Sequence, residues 1–221
     1  MNPTLSAPAA TLERPRLRGV SHQIAFFVSA AAGAALLAFT AAGRPSLAVG
    51  IYVLSLMALF GVSALYHRVT WTAPARAFMK RLDHSVIFLF IAGTTTPIAM
   101  LAMEPAAAKK LMIAVWIGAA IGIVRAVAWP HAPKWLTAAT YVAVGWISAA
   151  FVPEMFAGIG LFGVGALLVG GLIYSVGAGV YATRRPDPLP AVFGYHEVFH
   201  ALVICACVVH FAMIAAIVSH G

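Results

Sequence analysis

The chain has 221 residues, of which 62% are hydrophobic and only 9% are charged, and its formal net charge is +8. A soluble domain carries about 25% charged residues, so this composition excludes an ordinary soluble protein and predicts an integral membrane protein. The positive charge alone would suit nucleic acid or anionic lipid. Its distribution along the chain indicates membrane topology instead, and no other feature favours nucleic acid.

The chain divides into an N-terminal arm and a series of apolar runs. Residues 1–19 contain prolines and arginines without the apolar core of a signal peptide, and predict a flexible cytoplasmic arm. Seven runs follow that approach the roughly 20 residues needed to span a bilayer. They predict transmembrane helices over 20–42, 47–67, 83–103, 109–128, 134–152, 158–181 and 195–218. The expected fold is an all-α integral membrane protein, a seven-transmembrane helix bundle over residues 20–221.

The basic residues are unevenly divided between the two ends of these runs. With the N-terminus inside, eleven of the 14 lysines and arginines fall on the inner side. The positive-inside rule therefore predicts a cytoplasmic N-terminus and a periplasmic or extracellular C-terminus. This orientation is that of a multi-pass protein of the inner or plasma membrane.

Five polar side chains are expected to meet in the cytoplasmic leaflet. The second run ends with Ser63 and His67, and the last run begins with His196 and His200; each pair is four residues apart, on one helix face. The third run begins at the same side with Asp83. Titratable groups inside a membrane are costly and usually functional, so this convergence predicts a site.

The residue types favour zinc. Three imidazoles supply three neutral nitrogen ligands and leave a fourth position for water. Asp83 would hydrogen-bond that water or an imidazole N–H, and Ser63 would orient a substrate. The alternative is a set of unrelated interfacial histidines that meet water or headgroups.

The segment from His196 to His200 also matches the H-E-x-x-H pattern of zinc metalloproteases, in which the glutamate is the general base. An intramembrane protease would want a further ligand, and no Asp or Glu follows Glu197. Glu197 is expected to pair with Arg184 or Arg185, which leaves Asp83 as the better candidate for the base.

The other histidines receive simpler interpretations. His22 and His131 lie near loop ends and are expected to be solvated, while His84 is expected to make a helix contact. His210 lies ten residues beyond His200, or roughly 15 Å along a helix, and is expected to bond within the bundle.

Three motifs together resemble the hemolysin III family, which belongs with the progestin and adipoQ receptors and is more distantly related to alkaline ceramidases. They are Ser63-x-x-x-His67, Asp83-His84-Ser85 with Ala92-Gly-Thr-x-Thr-Pro97, and Phe193-Gly-Tyr-His196-Glu-x-Phe-His200. The resemblance implies seven helices with the N-terminus inside and zinc held by three histidines, with the aspartate contacting a water on the metal. The resemblance thus implies that the zinc ligands are His67, His196 and His200, with Asp83 and Ser63 beside them.

The resemblance and the residues together leave three functions open. The first is a zinc-dependent hydrolase of a membrane lipid amide or ester, ceramidase-like, in membrane lipid homeostasis. The second is a non-enzymatic sensor or regulator with structural zinc, and the third is a pore-forming cytolysin. The expected partners are the bilayer and a membrane lipid, as substrate or ligand, and the oligomeric state is left open.

Overall fold

The computed structural model describes residues 15–220, which fold into helices joined by short connections. Within residues 15–220 the only strand-like pairing is an isolated bridge between Leu189 and Phe193, and a 3₁₀ helix spans Trp146–Phe151. The α-helices are α1 (Val20–Ala38), α2 (Arg44–Arg68), α3 (Ala73–Ala102), α4 (Pro105–Ala128), α5 (Lys134–Gly145), α6 (Val152–Thr183) and α7 (Tyr195–His220).

Six stretches of the described chain are long and apolar enough to cross a membrane. Five coincide with α1, α2, α3, α4 and α7, and the sixth is the 50-residue stretch Lys134–Thr183, which contains α5 and α6. The predicted class, a helical multi-pass membrane protein, is confirmed. The count of seven spans and the orientation stay predictions.

Most of the helix starts follow from local sequence. Proline stands in the first turn of α2, α3, α4 and α6, where its missing N–H costs nothing. Glu104 caps α4 by accepting the N–H groups of Ala106 and Ala107 at 2.8 and 3.3 Å.

The third helix extends ten residues before the predicted span over 83–103. The third helix begins at Ala73 rather than at residue 83, because Pro74 starts it and two further turns carry basic side chains beyond the apolar run. Asp83 therefore lies in the third turn of α3, where the helix continues on both sides of it.

The stretch Lys134–Thr183 reverses direction. Gly160 interrupts α6 with φ 59° and ψ −168°, a conformation open to glycine. The indole N–H of Trp146 donates to the Ser175 hydroxyl at 2.9 Å. In a straight helix these two residues would lie roughly 43 Å apart, so α5 and the main part of α6 run side by side.

Helix α3 is the centre of the bundle, in contact with α2, α4, α5, α6 and α7. Its buried segment Thr94–Pro97 contains a proline that removes a backbone donor. The hydroxyls of Thr95 and Thr96 donate to the carbonyls of Ile91 and Ala92 at 3.0 and 2.8 Å. A row of polar side chains is thereby fixed in the interior of the bundle.

Candidate metal centre

Three histidines meet where α2 ends and α7 begins, a region we call the histidine end. One ring nitrogen from each of His67, His196 and His200 lies within 4.8 Å of the other two. The Nε2 atoms of His67 and His196 are 3.1 Å apart. The convergence expected from helix alternation and the four-residue spacing is therefore observed.

The donor set fits a tetrahedral zinc ion. At a Zn–N distance of about 2.0 Å, two tetrahedral ligands lie roughly 3.3 Å apart, close to the separation of His67 and His196. Nδ1 of His200 is buried and lacks a hydrogen-bond partner in the described chain. Small side-chain adjustments would bring all three rings to one ion, although their role as ligands stays a prediction.

The two polar side chains expected beside the histidines are present. Oδ2 of Asp83 lies 4.0 Å from Nε2 of His67, and the Asp83 side chain is 13% exposed. Ser63, buried one turn before His67 on α2, faces the Asp83 carboxylate. Both side chains line a cavity next to the histidines.

The partner of Glu197 differs from the one expected. Its buried carboxylate forms an ion pair with the partly exposed Arg18, not with Arg184 or Arg185, and Oε2 also accepts the N–H of Gly194 at 2.8 Å. The sequence could not show this pair because Arg18 lies 179 positions away, before the first helix. Glu197 is absent from the cavity lining, so Asp83 is the carboxylate that faces the cavity beside the histidines.

The cavity extends from the histidine end into the bundle, between α2, α3, α5, α6 and α7. Its volume is about 140 Å³, far more than one water molecule requires. Asp83 and His196 stand at one end, and apolar side chains such as Phe90, Leu167 and Val203 form much of the wall. The cavity therefore has polar side chains at the histidine end and largely apolar walls beyond it.

Residues 10–211 match the sequence model of the family described as Haemolysin-III related. The chain belongs to this family. The resemblance carried by the sequence motifs is thus confirmed, and the match includes every residue of the candidate site.

Relatives of this Haemolysin-III related chain occur in bacteria and animals. The "Hemolysin-3 homolog" of Bacillus subtilis is 26% identical over 197 residues, 88% of this chain and 89% of the relative. "Hemolysin-3" of Bacillus cereus is 28% identical, covering 70% of this chain and 67% of the relative. The human "Monocyte to macrophage differentiation factor" is 27% identical, covering 73% and 66%. No solved structure matches.

A fourth histidine contacts the site, and the expectation that it is solvated is wrong. His22 is only 3% exposed, and its ring stacks on that of His200 with centroids 3.7 Å apart and an interplanar angle of 6°. It lies in the first turn of α1, which begins at the histidine end like α3 and α7. Helix alternation assigns His22 to the same end as the other three histidines, but it does not show that the side chain faces them.

The residues before α1 pack on the histidine end. The backbone N–H groups of Arg16 and Leu17 donate to the carbonyls of Ala191 and Val192 at 3.0 and 3.1 Å. Gly19 has φ 78°, and a Cβ there would come within 2.6 Å of the His67 Cβ. The arm expected over residues 1–19 thus includes an ordered part that covers His67, while residues 1–14 lie outside the described residues.

Three other histidines lie apart from the cluster. Nε2 of His210 is 3.2 Å from the carbonyl oxygen of Leu167, which confirms the expected bond within the bundle. His131 is exposed in the loop after α4, as expected. His84 lines the cavity next to Asp83.

Proposed function

We propose that this protein is a zinc-dependent hydrolase of a membrane lipid amide or ester. The observation that carries the proposal is the position of the histidine cluster, with Asp83 and Ser63, at one end of a largely apolar cavity within the bundle. A lipid would place its chain along the cavity and its carbonyl at the histidines. Mostly apolar cavities with a few polar groups are common binding sites between the helices of a bundle.

His67, His196 and His200 would hold the zinc ion, which when bound would supply an activated water and a Lewis acid for the carbonyl. The protein's own groups handle the proton and the orientation. Asp83 accepts the proton of the attacking water at Oδ2 and then delivers it to the leaving amine or alcohol. The Ser63 hydroxyl donates a hydrogen bond that orients the substrate carbonyl and stabilises its developing negative charge.

We further propose seven spans, with the N-terminus in the cytoplasm and the protein in the inner membrane. An even number of passes must separate the end of α2 from the start of α7 if His67 and His196 share one side of the membrane, and seven spans give four. The reversal within Lys134–Thr183 supplies two of these passes, and α3 and α4 supply the others.

Reporter tags test this topology. Tags before residue 15 and in the loop between α2 and α3 should report the cytoplasm, and a tag after α7 should report the opposite side. A cytoplasmic C-terminal tag would contradict seven spans and place the histidines of α2 and α7 in different leaflets.

The hydrolase proposal is tested by lipid analysis. A strain lacking the gene should accumulate a lipid amide or ester that wild-type protein removes and that His196→Ala does not. His131→Ala, which alters an exposed loop histidine, is the matched control and should restore the wild-type lipid profile. Purified wild-type protein that binds zinc but cleaves nothing in a total lipid extract would contradict hydrolysis and favour a sensor or regulator.

A second candidate function is membrane lysis, which is favoured only by the names of the two Bacillus relatives. Red cells exposed to purified protein would test it. Equal lysis by wild type and His196→Ala would separate this activity from the zinc site.

A further inference from the structure

Two polar atoms at the far end of the cavity have no part in the proposed reaction. Nδ1 of His210 and Oγ1 of Thr94 are buried, and neither has a hydrogen-bond partner within residues 15–220. Both side chains line the cavity, and each residue is 6% exposed. A buried polar group without a partner costs free energy, so these atoms indicate a polar ligand at this end.

The two atoms lie at a similar depth. Helices α3 and α7 contact each other and both begin at the histidine end. Thr94 is eleven residues beyond Asp83, and His210 is ten residues beyond His200. At 1.5 Å per residue, both lie on the order of 15 Å from the site of the proposed reaction.

The chemistry of His210 is set by its surroundings. Nε2 is 3.2 Å from the Leu167 carbonyl oxygen, which can only accept, so Nε2 carries the N–H. In the neutral ring Nδ1 is then a hydrogen-bond acceptor. Gly170 on α6 provides the space for this ring, since a Cβ there would overlap it.

Thr94 differs from the two threonines that follow it. Thr95 and Thr96 both donate to a carbonyl of the preceding turn, whereas the Thr94 hydroxyl makes no bond of this kind in the described chain. The Thr94 hydroxyl is therefore available to donate and to accept. The far end of the cavity thus offers one acceptor and one hydroxyl that can do both.

We propose that this end binds a hydroxyl group carried by the hydrocarbon chain of the substrate. A ligand hydroxyl donates to Nδ1 of His210 and accepts from Thr94, whereas a keto oxygen can only accept and a plain chain does neither. The inference rests on the proposed function and names its substrate class: amides or esters of long hydroxylated acyl chains. An extended chain covers ~15 Å in roughly twelve carbon–carbon bonds, which sets the distance from hydroxyl to carbonyl.

Binding of free fatty acids tests the inference without turnover. Full-length, zinc-loaded protein in detergent is titrated with three acids of equal length in competition with a fluorescent fatty acid. One acid has its hydroxyl roughly twelve carbons from the carboxyl, one has it beside the carboxyl, and one has none. The first should bind about tenfold tighter than the other two, because only it pairs both buried atoms. Equal affinities, or no competition by any of the three, would overturn the proposal and assign the two atoms to ordered water.

Variants test whether Thr94 and His210 cause the preference for the distant hydroxyl. Thr94→Val removes the hydroxyl at nearly constant shape and should reduce the preference for the distant hydroxyl by about threefold or more, as should His210→Phe. Thr96→Val is the matched control. Thr96 has a buried hydroxyl, but its side chain does not line the cavity, so the preference should persist in this variant. A preference that survives both Thr94→Val and His210→Phe would contradict the site. Because binding is read directly, a protein that prefers the hydroxylated acid but hydrolyses nothing would retain this inference and lose the proposed reaction.

Discussion

Helix α7 carries histidines at two depths, and their partners differ. At the histidine end, His196 and His200 face His67 and each other, with Nε2 of His196 only 3.1 Å from Nε2 of His67. Deeper in the bundle, His210 donates to a backbone carbonyl. Imidazoles that face one another bring several nitrogen lone pairs together, and a cation would satisfy these lone pairs. A carbonyl oxygen instead accepts the N–H of an imidazole, and no cation is needed there. A buried histidine therefore indicates a metal only when its partners are other ligands.

The largest expected effect is on metal content. Purified wild-type protein should hold about one zinc per chain, and His67→Ala, His196→Ala or His200→Ala should each lose most of it, because two ligands hold zinc poorly. His210→Ala should retain it. Elemental analysis measures both outcomes, and full zinc in all three cluster variants would remove the distinction between the two depths.

The second effect is on turnover. Asp83→Asn should keep substantial zinc and lose hydrolysis of a lipid amide by roughly 10²–10⁴-fold, since asparagine keeps the shape but cannot take the proton. Glu197→Gln should be milder, because Glu197 is engaged by Arg18 and Gly194 and does not line the cavity. Rates on the lipid identified in the deletion strain measure this. Turnover that survives Asp83→Asn and disappears with Glu197→Gln would transfer the role of base to Glu197.

The third effect is on stability, and it is asymmetric. Arg18→Met leaves the Glu197 carboxylate, 2% exposed, without its charged partner, and should lower the free energy of unfolding by about 3 kcal/mol or more. Glu197→Gln leaves Arg18, whose side chain is 21% exposed and can reach water, and should cost about 1–2 kcal/mol. Thermal and denaturant unfolding in detergent would measure the difference.

The control for this pair is Arg184→Met, which alters an exposed arginine that the sequence offered as the partner of Glu197. Its stability should stay within about 0.5 kcal/mol of wild type. A larger loss from Arg184→Met than from Arg18→Met would reverse the assignment of the ion pair.

The smallest effect compares two glycines that pack against the two sets of histidines. Gly19→Ala adds a Cβ against His67 at a positive φ and should weaken zinc binding by about tenfold through displacement of the ligand. Gly170→Ala crowds His210 instead and should leave zinc affinity unchanged while lowering stability by about 1–3 kcal/mol. Chelator competition and unfolding curves separate the two results, and equal zinc affinity in both variants would show that Gly19 does not position His67.

The sequence predicted how far along its helix each residue lies better than the direction in which its side chain points around the helix. Hydropathy and helix alternation located His67, His196 and His200 at one end of the bundle, because both depend only on distance along a helix. They could not show which way α1 turns, so His22 was expected to be solvated although it stacks on His200. Basic residues also concealed the true start of α3, since a helix can continue beyond the apolar run that crosses the membrane.

Contacts between residues far apart in the chain could not be predicted from the sequence either. The ion pair between Arg18 and Glu197 joins the segment before α1 to α7, and no local pattern connects them. The cavity likewise results from several helices that pack together, so the alignment of Thr94 with His210 could be recognised only in the assembled bundle.

The distribution of the ligands along the chain has a consequence for biosynthesis. His67 belongs to the second helix made by the ribosome, and His196 and His200 belong to the last. Chains are synthesised from the N-terminus, so most of the protein is already in the membrane before two of the three imidazoles exist. If these histidines bind zinc as proposed, loading of the metal is a late, post-translational step, and a chain truncated anywhere before α7 would insert without ever acquiring it.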